Sequence, residues 1–254
     1  MRDEAFGSFK DHFSAGAQDY ALARPTYPQP LFDWIATITP ARRLAWEAGC
    51  GSGQASRDLA TRFDRVHATD PSAAQVAQAP AIANVTFAVE PGERCSLGPA
   101  SVDAVCVAQA LHWFDREAFF AECGRVLRPG GVLVAWGYQE IEVPAQVARA
   151  NAGLQRRILP YWPPERAEID AAYAGYAWPF EPVSAPALEL TADWPLPRLL
   201  AYFASYSATR RCRDATGHDP VAEGAPEFAA GWGEPATARR VRWPLFVHAR
   251  RKPG

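Results

Sequence analysis

The chain has no surplus of charge of either sign: 26 lysines and arginines face 28 aspartates and glutamates over 254 residues, a formal charge of −2. This balance gives no bulk attraction toward nucleic acid or an anionic membrane. One segment, TARRVRWPLFVHARRK, is locally basic and reads as a solvated strand. Paired cysteines are also missing. Cys50, Cys95, Cys106, Cys123 and Cys212 are odd in number, scattered and without C-x-x-C spacing, which points to a reduced cytoplasmic setting and away from bound zinc or any other metal. No apolar run approaches the length that spans a bilayer, and MRDEAFGSFKDHFSAG lacks the apolar centre of a signal peptide. Repeats and low-complexity tracts are not evident. The expected partner is a small molecule, with neither nucleic acid nor membrane, and the expected state is a monomer or weak homodimer.

Apolar residues make up 48% of the chain, enough for one large core with a modest appendage. Five short apolar runs are read as strands: LAWEA, VHATD, NVTFAVE, SVDAVCVAQA and GVLVAWGY. Between them lie helical patterns. Ala55, Leu59 and Phe63 share one face, an Ala-rich helix runs from about Ala73 to Ala79, and Phe119, Cys123 and Val126 recur at helical spacing before RPGG stops the run. Strands alternating with helices imply an α/β fold with a Rossmann-like, doubly wound sheet. About seven strands are expected, mostly parallel, with a last antiparallel strand near Val241 to Ala249, where Pro244 argues for an exposed or bulged position. Pro30 opens an earlier helix carrying Leu31, Trp34, Ile35 and Ile38. The expected organisation is an N-terminal helical lid segment (1–40), a Rossmann-like core (41–141), a helical cap and substrate region with one core strand (142–235) and a terminal strand of the sheet (236–254).

The stretch LAWEAGCGSGQ places Gly49, Gly51 and Gly53, with Cys50 among them, directly after the first strand and two residues beyond Glu47. A nicotinamide-binding turn reads G-x-G-x-x-G and keeps an apolar residue where Glu47 stands. A buried carboxylate there repels a pyrophosphate and suits a ligand with a cationic end. S-adenosylmethionine, with its ammonium, carboxylate and sulfonium, matches a turn that offers amide donors beside one carboxylate. Asp70 ends the second strand about 20 residues on, where a carboxylate accepts from the ribose hydroxyls of an adenine nucleoside. An aspartate before a proline also serves as a helix cap.

These residues, together with YALARPTYPQPL, ATDPS, EPGER, AQALHWFD and RVLRPGGVLVAWGY, resemble the class I S-adenosylmethionine-dependent methyltransferases. Within them the sequence is similar to the small-molecule branch of type 11, the relatives of trans-aconitate methyltransferase. The resemblance is strong over roughly residues 10 to 140. It implies that Glu47, Gly49, Cys50, Gly51 and Gly53 hold the methionine moiety, that Asp70 holds the ribose and that Pro71 packs near the adenine. Members usually carry Asp-Ala-Glu after the third strand. Here Pro91, Gly92 and Glu93 stand there, so adenine recognition is left to groups around Gly92 and Glu93. Gln109 is expected to contact the methionine end through backbone and side chain, and Arg24 to pair with the methionine carboxylate or to be a surface arginine.

Methyl transfer from a sulfonium is an in-line displacement that asks the protein to position a nucleophile and exclude water. His112 and Trp113 are expected to face the methyl group. His112 is the candidate catalytic residue, as a proton acceptor or as a hydrogen-bond donor, with local capping as the plain structural alternative. Tyr20, His112, Trp113 and Tyr206 are the expected substrate contacts. The aromatics Tyr161, Trp162, Tyr173, Tyr176, Tyr202 and Trp232 wall a pocket or form the core of the cap, and most are expected to be core. The expected activity is S-adenosylmethionine-dependent methyl transfer to a small acceptor, with S-adenosylhomocysteine as product. The alternatives are a noncatalytic S-adenosylmethionine-binding protein acting through a partner and a nicotinamide-dependent oxidoreductase.

Overall fold

The computed structural model describes residues 24–254. Tyr20 and most of the expected lid segment lie outside the described residues. The first half of the chain alternates as its apolar pattern requires: α1 (Gln29–Ile38), β1 (Leu44–Ala48), α2 (Gln54–Ala60), β2 (Arg65–Thr69), α3 (Ala73–Val76), β3 (Val85–Ala88), β4 (Val102–Ala108), α4 (Arg116–Val126) and β5 (Leu127–Tyr138). β1 and β4 are buried along almost their whole length, as strands covered by helices on both faces must be. Helix α1 buries Leu31, Phe32 and Ile35, with Trp34 and Ile38 partly buried against the same core, so Phe32 widens the face that was expected.

Beyond β5 come α5 (Ala148–Ile158), α6 (Arg166–Asp170), β6 (Glu181–Val183), β7 (Leu190–Trp194), α7 (Leu196–Ala204), α8 (Ser207–Thr216), α9 (Pro220–Trp232), β8 (Arg239–Trp243) and β9 (Leu245–Arg251). Among the described residues, seven strands form one sheet in the order β3-β2-β1-β4-β5-β9-β6. The first five pair in parallel, and β9 runs antiparallel between β5 and β6.

Three details depart from the sequence expectation. RPGG does not separate α4 from β5: α4 ends at Val126, and the glycines fall inside β5, where the register to β4 jumps from Val102–Leu127 to Ala104–Val132. The extra residues form a bulge, and Gly130, at φ 74°, supplies the left-handed turn it needs. The region 142–235 supplies the one core strand expected of it, β6, and adds a second strand, β7, which pairs with β8 in a separate two-stranded sheet. Pro244 is the reason the terminal segment splits. Without an N–H it cannot continue a ladder, so the chain leaves the small sheet at Trp243 and enters the large one at Leu245 as an interior strand, with the Pro244 carbonyl accepting from the Gln139 amide at 3.0 Å.

The end of the sheet remote from the β1 and β4 carboxyl termini is fastened by a buried acid. The carboxylate of Asp103 in β4 accepts from the amides of Arg43 and Leu44 (2.8 and 3.1 Å) and from Arg128 Nη1 (2.8 Å). Removing it leaves two amides and a guanidinium without their acceptor. Asp103→Ala is expected to lower the unfolding free energy by about 2–4 kcal/mol, seen as a lower denaturant midpoint at unchanged slope. A loss below about 1 kcal/mol would mean that water replaces the carboxylate at no cost.

Candidate cofactor and acceptor site

The glycine turn leaves the sheet from the end of β1. Gly49, Gly51 and Gly53 have φ of 71°, 55° and 84°, the left-handed region where a side chain is strained. Space adds a second demand at two of them: a Cβ on Gly49 would lie 2.5 Å from Ala110 Cβ, and one on Gly53 would lie 2.8 Å from Phe87 Cζ. At Gly51 the nearest heavy atom would be Gln75 Oε1 at 3.8 Å, so that position faces open space. The leading amides do not all face outward, as the sequence had suggested. Gly49 and Cys50 donate to the Thr69 carbonyl (2.8 and 2.9 Å), and Gly51 donates to Asp70 Oδ2 (2.9 Å). The Cys50 thiol is buried, and desolvation first, then the charges of Glu47 and Asp70, push its pKa up, so it stays a neutral filler.

Glu47 is 1% exposed, and its Oε2 accepts from the Ser56 hydroxyl of α2 at 2.5 Å. Burial pushes its pKa up to about 8; the Ser56 hydrogen bond opposes this, and the charges of Asp70 and Asp58 add to it. A carboxylate in that position is suited to a cation brought by a ligand, because a positive charge would restore its ordinary ionisation.

Asp70 is not a helix cap: Ser72 caps α3 by accepting from the Gln75 amide. Asp70 instead accepts from Gly51 on one oxygen and from the Ser72 amide on the other (2.9 Å each), which ties the turn after β1 to the turn after β2. A carboxylate has about four lone-pair sites, so it can serve these two amides and further donors besides. Pro71 follows at the partly open edge. Gly92 packs against Phe114: a Cβ there would lie 3.0 Å from the ring, and one on Gly49 would lie 3.1 Å from the same ring. Glu93 accepts from the Asp115 amide at 2.8 Å, fixing the start of α4 rather than pointing at a ligand. Phe114 and Phe87 were missed in the sequence, although glycines facing aromatic side chains are what allow such close approach.

The side chain of Gln109 also departs from expectation. Its Oε1 accepts from the Tyr138 amide (2.9 Å) and its Nε2 donates to the Tyr138 carbonyl (3.0 Å), so it clasps the end of β5, while the backbone at Gln109 has φ 56°. Its main-chain amide donates to the Trp136 carbonyl at 2.9 Å, so of its polar groups the main-chain carbonyl is the one left to meet a ligand. Arg24 is not a surface arginine. Its Nη1 donates to the Tyr138 hydroxyl (3.1 Å), and the guanidinium carbon lies 5.5 and 5.7 Å from the ring centres of Tyr202 and Tyr206. Tyr206 is buried, with its hydroxyl donating to Glu140 Oε1 (3.0 Å). As with Tyr173, Tyr202 and Trp232, it belongs to the packed core, whereas Tyr161, Trp162 and Tyr176 are only partly covered.

His112 and Trp113 sit in a single helical turn after β4, their rings 4.7 Å apart. His112 Nδ1 lies 3.1 Å from the Tyr173 hydroxyl. Burial, then the charge of Arg166, lower its pKa to about 3, so the imidazole is neutral throughout the physiological range and is a weak proton acceptor.

The raised pKa of Glu47 has a consequence for stability. Folded Glu47 holds its proton up to about pH 8, whereas unfolded glutamate loses it near 4.5, so stability is full below the lower value and declines as pH rises toward the upper one. Glu47→Gln keeps the Ser56 hydrogen bond without this titration. It is expected to stabilise the ligand-free protein at pH 8 by on the order of 2–4 kcal/mol while weakening ligand binding. Identical melting curves for the two proteins from pH 5 to 8 would contradict the assignment.

The arrangement of acid, glycine turn and second acid agrees with the comparisons to known proteins. A family model described as a methyltransferase domain matches residues 46–135. A protein of Dictyostelium discoideum assigned as a methyltransferase is 33% identical over 204 residues, 78% of each chain. A Saccharomyces cerevisiae protein assigned as an S-adenosylmethionine-dependent methyltransferase is 33% identical over 132 residues, 48% of this chain and 45% of that one. Among solved structures, a protein of Anaeromyxobacter dehalogenans assigned as a type II methyltransferase superposes with a TM-score of 0.86 at 44% identity, covering 91% of this chain and 99% of the other. Sheet order, site and relatives together make this chain a member of the class I S-adenosylmethionine-dependent methyltransferases.

Proposed function

We propose that the enzyme methylates a small-molecule acceptor at a carboxylate, hydroxyl or activated carbon. The observation that carries this reading is the covering of the β5 carboxyl end: Arg24 from the N-terminal segment meets Tyr138, Tyr202 and Tyr206 there, and Arg166 of α6 reaches Glu140 just beyond the strand at 3.2 Å. An acceptor side walled by two packed segments admits a small ligand more readily than a polymer. In this reading residues 142–235 close over the methyl end, and the five buried thiols suit a cytoplasmic enzyme.

When bound, S-adenosylmethionine supplies a methyl group already activated by its sulfonium. Glu47 receives the ammonium, and the Gly49 to Gly53 turn, with Cys50 as filler, gives the methionine portion room. Asp70 takes the ribose hydroxyls, and Pro71 with the main chain at Gly92 and Glu93 borders the adenine. Arg24 counters the methionine carboxylate, and the Gln109 main chain flanks the methionine end. On the acceptor side, His112 and Trp113 orient the nucleophile and keep water out.

Isothermal calorimetry should show binding of S-adenosylhomocysteine, with Asp70→Ala weakening it by about 1.5–3 kcal/mol. Unchanged affinity would restrict Asp70 to its hydrogen bonds with Gly51 and Ser72. Release of S-adenosylhomocysteine during turnover of a panel of small acids and phenols tests the acceptor class. Turnover confined to protein or nucleic-acid acceptors would overturn it.

A further inference from the structure

Tyr173 occupies an unusual backbone. It and Ala172 are consecutive non-glycine residues at φ 57° and 49°, a conformation that side chains disfavour and that persists where surrounding contacts impose it. Those contacts are present. The Tyr173 ring stacks on Tyr176 (4.8 Å between centres, 18° between planes) and meets the Phe246 ring edge-on at 5.0 Å. His248 Nε2 lies 2.7 Å from the Ala172 carbonyl, to which it donates. Together they press a buried phenol against His112, the residue assigned above to the acceptor side.

The hydroxyl has one proton. Burial pushes the phenol's pKa well above its ordinary value, so it keeps that proton. Among the described residues, the acceptor within reach of its proton is His112 Nδ1, at 3.1 Å. Were Nδ1 instead the donor, the phenolic proton would be buried without an acceptor, an arrangement that folded proteins avoid.

We propose that Tyr173 is a positioning residue that fixes His112 as the neutral tautomer carrying its proton on Nε2. The imidazole edge facing away from Tyr173 is then an N–H donor and not a lone pair. His112 orients an acceptor molecule by donating to it and takes no proton from it, so the nucleophile is an atom whose lone pair is already free at working pH. The charged and titratable groups around the pair fit this state: the charge of Arg166 of α6 acts on His112, while Glu168 of α6, the carboxylate near Tyr173, is already held by Arg116 and the Tyr176 hydroxyl. This inference rests on the acceptor-side assignment of His112 only for its consequence. The tautomer itself is independent of turnover.

The test is nitrogen NMR of the ligand-free protein labelled with 15N-histidine, with the His112 signals assigned by their loss in His112→Gln. In the wild type His112 should show a protonated Nε2 and an unprotonated Nδ1 from pH 5.5 to 8.5, with no titration. In Tyr173→Phe the tautomer ratio should shift toward Nδ1–H, while the imidazole stays neutral over that range because its burial and the charge of Arg166 are unchanged. A wild-type spectrum with Nδ1 protonated, or a His112 that titrates near its ordinary pKa, overturns the proposal, as does a folded Tyr173→Phe whose His112 spectrum is unchanged. Should that variant not fold, the wild-type tautomer decides. A protein that passes this test yet methylates no small molecule would leave the tautomer standing and refute the acceptor reading alone.

Discussion

Hydrogen bonds between the first two strand ends hold the site together. Two amides of the glycine turn converge on the Thr69 carbonyl, and a third reaches Asp70, whose other oxygen receives Ser72. Without this knot, Glu47, Asp70 and the loop over which Phe114 lies would hang from independent turns. With it, a carboxylate suited to an ammonium and one suited to a diol are held at a fixed separation by backbone groups, which have little freedom to relax. Gly49 and Gly53 then have a double purpose: their positive φ lets the amides converge, and their missing side chains admit Ala110 and Phe87.

The local pattern made the parallel half of the sheet legible because each buried strand is a nearly unbroken apolar run. The same reasoning failed where one residue's partner lies far along the chain. Nothing adjacent to Gln109 indicates that its amide will clasp the backbone of Tyr138, 29 residues away, and nothing near Asp103 indicates that it will anchor Arg43 and Arg128. Pro244 was readable as a disturbance but not as a junction, since its effect depends on two different sheets receiving the chain on either side. Asp70 was legible by position. That it would also brace the turn follows only from three-dimensional proximity.

The helical layer shows a second limit of pattern reading. Its aromatic residues are numerous enough to suggest a pocket, yet most of them are spent on one another. Tyr202 packs edge-on against Trp194, Tyr206 and Trp243, and Trp243 donates to its hydroxyl at 2.8 Å. Polar ends that find buried partners make such rings core residues with directional bonds rather than walls of a cavity. Arg24 is the exception that joins this core to the cofactor end of the sheet, because a planar cation can lie against tyrosine faces while donating to a third hydroxyl.

The placement of β9 governs the order in which the molecule can assemble. Within the main sheet β6 has β9 as its neighbour, and five elements separate the two in the chain. The five parallel strands can pair progressively as they are synthesised, but β6 must wait, with its edge uncovered, until a strand made much later slides in beside β5. Contacts of such long sequence separation form slowly and leave a strand exposed in the interim. β6 is three residues long and contains Pro182, so the waiting edge is short and lacks one donor. Brevity and proline there serve the nascent chain, limiting what an unfinished sheet can recruit from its surroundings.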